Sequence, residues 1–391
     1  MKIAVLTNAY PPKAQGGAGR IAFEYTKILE GLGHEVKVWG ADEEFFELGK
    51  KSALARLFFH LKDLGAKKDI VEDMATWEPE VLFTHNLTGC GFGTASYLKR
   101  SFDSGPPDGP RSGRRLKWFH VLHDVQLLEP SGQIVYGESF GIFRKVWRWK
   151  WAWLRKMSLG EPDVVISPTK WLMEQHEKYG FFKRSKKVVV PNPVRRSGDL
   201  STESIPHSDA GLETTRDEKQ ILFVGRLDSD KGIDLLLEAW PELKKISESL
   251  VVVGGGLRLE DFKKQFPEVE FKGELASEEV LKTMAQSGVL VVPSLVMENQ
   301  PTVILEGLAC GCKVVASDVG GVRETLGEAG WIFKPGSSDD LVRAVREAMV
   351  GRGDACVAQG KACLAPTQTI LKRHDPGIVA GVLAGLLKSN L

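Results

Sequence analysis

Short apolar runs that do not alternate with polar residues set the tightest limit on what this chain can fold into. Residues 2–7 (KIAVLT), 81–84 (VLFT), 117–122 (KWFHVL) and 163–167 (DVVIS) are such runs in the first half. Residues 220–224 (QILFV), 250–253 (LVVV), 288–292 (GVLVV) and 313–316 (KVVA) repeat the pattern in the second. A strand that is apolar on both sides has to be covered on both faces, which is the condition of a parallel sheet between two layers of helices. Helical periodicity follows several of the runs, as at 20–32, where Ile21, Tyr25, Ile28, Leu29 and Leu32 share a face, and at 233–246 and 277–287. Between the two batches, residues 197–219 (SGDLSTESIPHSDAGLETTRDEK) are polar and rich in Ser and Thr, with nothing to build a core. The expectation is an α/β protein of two Rossmann-like units facing each other across a deep cleft. The first spans 1–195, a flexible linker 196–219, and the second 220–374, with a last helix at about 375–391 crossing back to the first. A chain of 391 residues is long enough for both cores.

Open parallel sheets bind ligands at the carboxyl ends of their strands. The first run is followed by NAYPPKAQGGAG (8–19), whose glycines Gly16, Gly17 and Gly19 do not match the dinucleotide-binding spacing. His85 and Asn86 end the 81–84 strand, and His123 with Asp124 ends 117–122. In the second half GRLDSDKG (225–232) places Arg226 directly after a strand and Lys231 at the start of the next helix. A guanidinium clamps phosphate oxygens in bidentate fashion, and an ammonium adds a point charge. Asp228 and Asp230 have the look of a metal-binding DxD; they are read instead as acids orienting Arg226 and Lys231, so no metal ligands are assigned. Downstream, PSLVMENQPTVILEGLACGCKVVASDVGG (293–321) runs from a strand through a polar loop into a helix opened by Pro301 and stopped by Gly311. Glu298 stands in that loop and Glu306 eight positions later. A helix N-terminus with free N–H groups and a favourable dipole suits an anion, and the two acids suit hydroxyl groups beside it. The combination fits a nucleotide-sugar.

Other features bound the setting. A net charge of +1 gives no global case for nucleic acid. Five cysteines, mostly in apolar surroundings and without zinc spacing, read as reduced thiols of a cytoplasmic protein. No stretch offers the ~20 apolar residues of a membrane span, and the N-terminus enters a strand without a signal peptide. Residues 43–77 read as helical, and 54–64 (LARLFFHLKDL) carry an apolar stripe expected in the core. Residues 143–157 (FRKVWRWKWAWLRKM), wound as a helix, are read with Phe143, Val146, Trp147, Trp149, Trp153, Leu154 and Met157 on one broad side and Arg144, Lys145, Arg148, Arg155 and Lys156 on the other. Two readings stay open: a core helix with a basic solvent face, or a helix lying on the inner face of a membrane.

On GRLDSDKG, on the 293–321 stretch with its E-x(7)-E pair, and on TNAYPPKAQGGAGR, the whole chain resembles glycosyltransferase family 4, retaining enzymes of the two-domain GT-B fold. The resemblance implies transfer of a hexose from a UDP- or GDP-sugar to a hydroxyl acceptor, a glycan or lipid-linked molecule of cell-surface polysaccharide or glycolipid synthesis, with no cofactor required. It gives Arg226 and Lys231 the diphosphate. Glu298 and the backbone of Asn299, Gln300, Pro301 and Thr302 go to the donor sugar and phosphate, Glu306 to the ribose, and His123 to the reacting centre. Gly16, Gly17, Gly256 and Lys272 join the donor contacts. The motif departs from the family pattern where Asn299-Gln300-Pro301 follow the first acid and where Lys313 opens the next strand. Two other classes share these features: a nucleotide-sugar epimerase of GT-B type and a non-catalytic nucleotide-sugar-binding protein. The E-x(7)-E stretch argues against the first, and the complete set Arg226, Lys231, Glu298 and Glu306 against the second.

Overall fold

The computed structural model describes residues 1–11, 17–41, 52–104, 115–137, 142–194, 216–350 and 364–390. Gly16 and nearly all of the expected linker lie outside the described residues. The chain divides into two compact units: Met1–Gln133, Ser139–Pro193 and Pro376–Leu391 in one, Ile134–Glu138 and Val194–Asp375 in the other.

In unit 1, strands β1 (Lys2–Thr7), β2 (Glu35–Gly40), β3 (Val81–Thr84), β4 (Lys117–Val121), β5 (Val164–Ser167) and β6 (Lys186–Val189) form one parallel sheet in the order β2-β1-β3-β4-β5-β6. Its helices are α1 (Gly17–Gly31), α2 (Ala53–Lys62), α3 (Lys68–Trp77), α4 (Thr94–Ser104), α5 (Ile142–Leu159) and α6 (Lys170–Lys178). β1, β3, β4 and β5 are buried along almost their whole length, as unbroken apolar runs require. The chain leaves β1 towards β2 on one side and β3 towards β4 on the other. The loops after β1 and β3 therefore part at a topological switch point, where a ligand can enter between them.

Unit 2 repeats the plan. Strands β7 (Asp217–Val224), β8 (Ser249–Val253), β9 (Glu270–Gly273), β10 (Ser287–Val292), β11 (Lys313–Ser317) and β12 (Gly330–Phe333) form a second parallel sheet, ordered β12-β11-β10-β7-β8-β9. Helices α7 (Ile233–Leu243), α8 (Leu259–Gln265), α9 (Ser277–Gln286), α10 (Thr302–Ala309), α11 (Val322–Leu326), α12 (Ser338–Val350) and α13 (Leu364–Arg373) accompany it. One face of this sheet packs Ile221, Val252 and Val289 beneath α7 and α12; the other packs Leu222, Leu290 and Val314 beneath α10. Here the switch point lies between β7 and β10, so the order of strands alone brings GRLDSDKG and the loop of Glu298 together. The last helix, α14 (Pro376–Asn390), buries Val379, Leu383 and Leu387 in the core cluster that holds Ile21, Tyr25 and Leu29 of α1.

Three boundaries differ from the sequence reading. β7 begins at Asp217, inside the expected linker, where Ser287 of β10 gives it a partner. α1 begins at Gly17 rather than at residue 20. The helical stretch before β3 is two helices, because Asp63 caps α2 and turns its carboxylate to other backbone.

Candidate functional site

In unit 2 two loops meet at the switch point. The first passes from β7 through Arg226 and a single 3-10 turn at Ser229–Lys231 to Gly232. Gly232 has φ of 74°, and a Cβ there would come within 1.9 Å of the Pro293 carbonyl oxygen, so only glycine lets this loop lie on the end of β10. The carbonyl of Asp230 then accepts the N–H groups of Leu295 (2.8 Å) and Val296 (3.1 Å). On its other side the second loop is paired by residues 134–137: Met297 donates to Ile134 at 2.7 Å and Tyr136 to Leu295 at 2.6 Å. The carbonyl of Glu298 accepts from Gly321 N–H at 2.7 Å. Gly320, at φ of 59°, has no room for a Cβ, which would sit 2.0 Å from that same oxygen. The loop that carries Glu298 is thus held by three separate segments, with Gly321 on Glu298 itself.

Its side chain is fixed as well. Lys231 Nζ lies 2.5 Å from Glu298 Oε1, and Ser294 Oγ donates to the same oxygen at 2.9 Å. The two charged side chains are 27% and 17% exposed, withdrawn enough from water for salt to screen them little. Arg226 is exposed on the same loop, with Nη2 3.2 Å from Asp228 Oδ2. Asp228 therefore does orient Arg226, but Lys231 answers to Glu298 and not to Asp230, a correction to the sequence reading. Asn299 is buried, Pro301 caps α10, and Glu306 sits half-buried one turn inside it. Gly256 follows β8 against Leu227 of the first loop, whose N–H donates to Gly255. Lys272 is not gathered in: it lies on the edge strand β9, 3.5 Å from Glu270. Among the described residues no group of three or more His, Cys, Asp and Glu could hold a metal ion.

Unit 1 has its own cluster at the ends of β3 and β4. His85 Nδ1 and His123 Nε2 are 2.8 Å apart with stacked rings, and Asn86 donates to Asp124 Oδ2 at 3.0 Å. His85 Nε2 is buried without a hydrogen-bond partner, so the tautomer that avoids an orphaned donor carries its proton on Nδ1 and gives it to His123. A cavity of about 10 Å³, room for one water, lies among His85, Asn86, His123 and Asp124. Gly17, by contrast, is the exposed first residue of α1. Pairing of His85 with His123 was missed because the residues are 38 apart; their shared position after neighbouring strands was the available signal.

The Trp-rich helix sits the opposite way round from the core reading. On α5 Arg148 and Arg155 are buried, and Trp149, Trp153 and Met157 are exposed. Arg155 lies over the rings of Phe92 (4.5 Å) and Trp151 (4.7 Å), with Asp63 the first of the acids that support its charge. The Asp63 carboxylate accepts Gly89 N–H at 2.8 Å and Gly91 N–H at 2.9 Å. Arg148, in turn, lies 3.3 Å from the Glu129 carboxylate, so each buried arginine has its own buried acid. The stripe of 54–64 is likewise only partly core: Phe59 is buried, Phe58 and Leu61 are exposed.

Burial gives unit 1 a predictable response to acid. It holds His85 well below the ordinary imidazole value, His120 down to about 3, and His123 and His176 to about 4. The unfolded chain takes up these protons below pH ~6.5, the folded unit only near 4, so stability falls as pH drops through that window. Asp63, pushed up to about 6 mainly by burial, acts in the opposite sense, as does Asp124, but the imidazoles outnumber them. The urea midpoint of unit 1 is expected to be lower at pH 5 than at pH 7.5, read by near-ultraviolet circular dichroism. A midpoint that rises on acidification would contradict this.

Comparison with known proteins bears on these clusters. The description Glycosyltransferase Family 4 matches residues 15–197, and Glycosyl transferases group 1 matches residues 218–350. An uncharacterized glycosyltransferase of Methanocaldococcus jannaschii is 37% identical over 83% of this chain and 83% of its own. A putative teichuronic acid biosynthesis glycosyltransferase of Bacillus subtilis is 29% identical over 49% of this chain and 48% of its own. Among solved structures, Anabaena HepE in complex with UDP-glucose superposes with a TM-score of 0.61 at 18% identity, covering 100% of both chains. That last likeness is one of fold.

Proposed function

The chain belongs to glycosyltransferase family 4, and from that premise we propose a retaining transferase of GT-B fold that moves a hexose from a nucleotide-diphosphate sugar to a hydroxyl acceptor. The observation that carries the reading is the Lys231–Glu298 pair: a cation for phosphate touches an acid for sugar hydroxyls, as the two ends of a sugar–phosphate bond demand. Arg226 and Lys231 neutralise the diphosphate. Glu298 and the backbone of Asn299 to Thr302 hold the sugar, Glu306 holds the ribose, and Gly17 and Gly256 border the phosphates. His123, kept neutral by burial, offers a hydrogen bond to a sugar hydroxyl.

The bond from the anomeric carbon to the diphosphate breaks, and the acceptor oxygen bonds to that carbon on the same face. The acceptor's proton passes to a departing phosphate oxygen. Electrostatic stabilisation of the leaving group is the main task, and fixed cations perform it. No metal is then needed, and turnover is expected to survive EDTA within about twofold; a strict magnesium requirement would overturn this point. The UDP-glucose bound by HepE and the teichuronic acid biosynthesis named for the Bacillus relative support a UDP-type donor and a polysaccharide product, which we assign to the cell surface. We also place the enzyme at the inner membrane surface, in contact through residues 143–157. The test is a thermal-shift screen of UDP, GDP, ADP and their sugars, since a ligand stabilises only by binding the folded state. One nucleotide should raise Tm, and its sugar should then be transferred with retained anomeric configuration. No shift with any of them would sink the reading, hydrolysis without transfer would favour an epimerase, and binding without turnover a binding protein.

A further inference from the structure

Two helices of unit 1 expose large apolar side chains that no folded core explains. On α5, Val146, Trp149, Trp153 and Met157 form one stripe, 46%, 61%, 53% and 67% exposed. Their spacing of three and four residues keeps them on one face. On α2, Phe58 and Leu61 are 62% and 43% exposed. The helices are neighbours: His60 of α2 meets Trp151 of α5 edge-on at 6.0 Å, and Ser158 Oγ donates to the Leu64 carbonyl just after α2. Trp147, itself 48% exposed, stacks on Trp151 at 6.2 Å and so lies on the side of α5 next to α2.

Charge narrows what can cover this surface. Neither helix contains an acidic residue. Lys145 and Lys150 are exposed on α5, and Arg56 and Lys62 on α2. A second copy of the same face would bring cation against cation. A protein core buries its apolar side chains, whereas exposed tryptophan bordered by lysine suits the boundary between headgroups and acyl chains.

We propose that α2 and α5 together form a docking surface for a bilayer rich in anionic lipid, with the indoles of Trp149 and Trp153 and the side chains of Phe58 and Leu61 entering the interface. This rests on the membrane reading of residues 143–157 and extends it to a second helix, a defined face and a lipid class. The cations draw the protein to the surface over a Debye length, and the apolar groups hold it there.

The test is flotation of the full chain with phosphatidylcholine vesicles, with and without phosphatidylglycerol, at low and high salt. Binding to the anionic vesicles is expected to exceed the zwitterionic case about tenfold or more at low salt and to fall at high salt, with a blue shift of tryptophan emission. Trp149→Ser/Trp153→Ser and Phe58→Ser/Leu61→Ser should each reduce it several-fold. Because these positions are exposed, both variants should keep the wild-type melting curve. If only the α5 variant loses binding, the two-helix surface is wrong and the single-helix contact stands. If the wild-type chain floats with neither vesicle at either salt, or if it forms a dimer that both variants abolish, the membrane surface is wrong altogether. Nucleotide-induced thermal shifts, measured without vesicles, keep that failure apart from any failure of the sugar-transfer reading.

Discussion

Lys231→Ala is expected to lower kcat/KM for sugar transfer by about 10²–10³-fold, the cost of losing one fixed charge at a developing anion. Lys231 is a short reach from Glu298 and withdrawn from bulk water, so its charge acts at close quarters on whatever enters. The loss should appear in kcat as well as in KM, since negative charge on the diphosphate grows as the sugar departs. Lys231→Arg should recover part of it, because charge is restored while geometry changes. The Glu298 backbone is held by Gly321 N–H, and Ser294 still bonds its carboxylate. The variant should therefore keep its fold, and circular dichroism would check that. Activity within threefold of wild type would remove Lys231 from the diphosphate.

Arg155→Met should destabilise unit 1 by about 3–5 kcal/mol, the range for removing one member of a buried charge group. Arg155 is wholly buried, and none of its three guanidinium nitrogens has a hydrogen-bond partner among the described residues. Burial pulls its pKa down to about 9, which still leaves it charged at neutral pH. Asp63, Asp124 and Glu129 provide the opposing field. Without the cation, Asp63 would be an uncompensated carboxylate or take up a proton, and its bonds to Gly89 and Gly91 would weaken. A drop in Tm of about 10 °C is expected for a unit of this size. Adding Asp63→Asn should return part of that stability by removing the unpaired charge, at the cost of one acceptor. A single variant as stable as wild type would show that Arg155 neutralises nothing.

These two residues mark where the sequence was legible and where it was not. The strands were plain because a strand buried on both faces writes an unbroken apolar run, as in KIAVLT and LVVV. The meeting of GRLDSDKG with the Glu298 loop followed from the unit 2 strand order, with the shared motif as its sign. The sequence offers Lys231 only the neighbouring acids Asp228 and Asp230, yet it pairs with an acid 67 residues on. Local spacing cannot weigh a distant partner that tertiary packing delivers. For α5 the reading set all the basic residues on one face opposite the tryptophans, whereas the structure buries Arg148 and Arg155 and exposes Lys145 with Trp149 and Trp153. The acids that face the two arginines, Asp63 and Glu129, lie outside this helix, and nothing within FRKVWRWKWAWLRKM announces them. His85 and His123 were each visible at strand ends; only the sheet order, with β3 beside β4, made them partners.

The short piece 134–137, built into unit 2 from between two segments of unit 1, bears on how such a protein can be inherited. Its N–H and C=O groups complete the pairing of Leu295 to Met297, beside the loop that carries Glu298. A gene fragment encoding 194–375 would leave that edge unpaired, and one encoding 1–193 would carry the missing piece away and lack α14. The two units are therefore not interchangeable cassettes. Recombination that swapped unit 2 for a relative's would have to exchange two separate stretches at once.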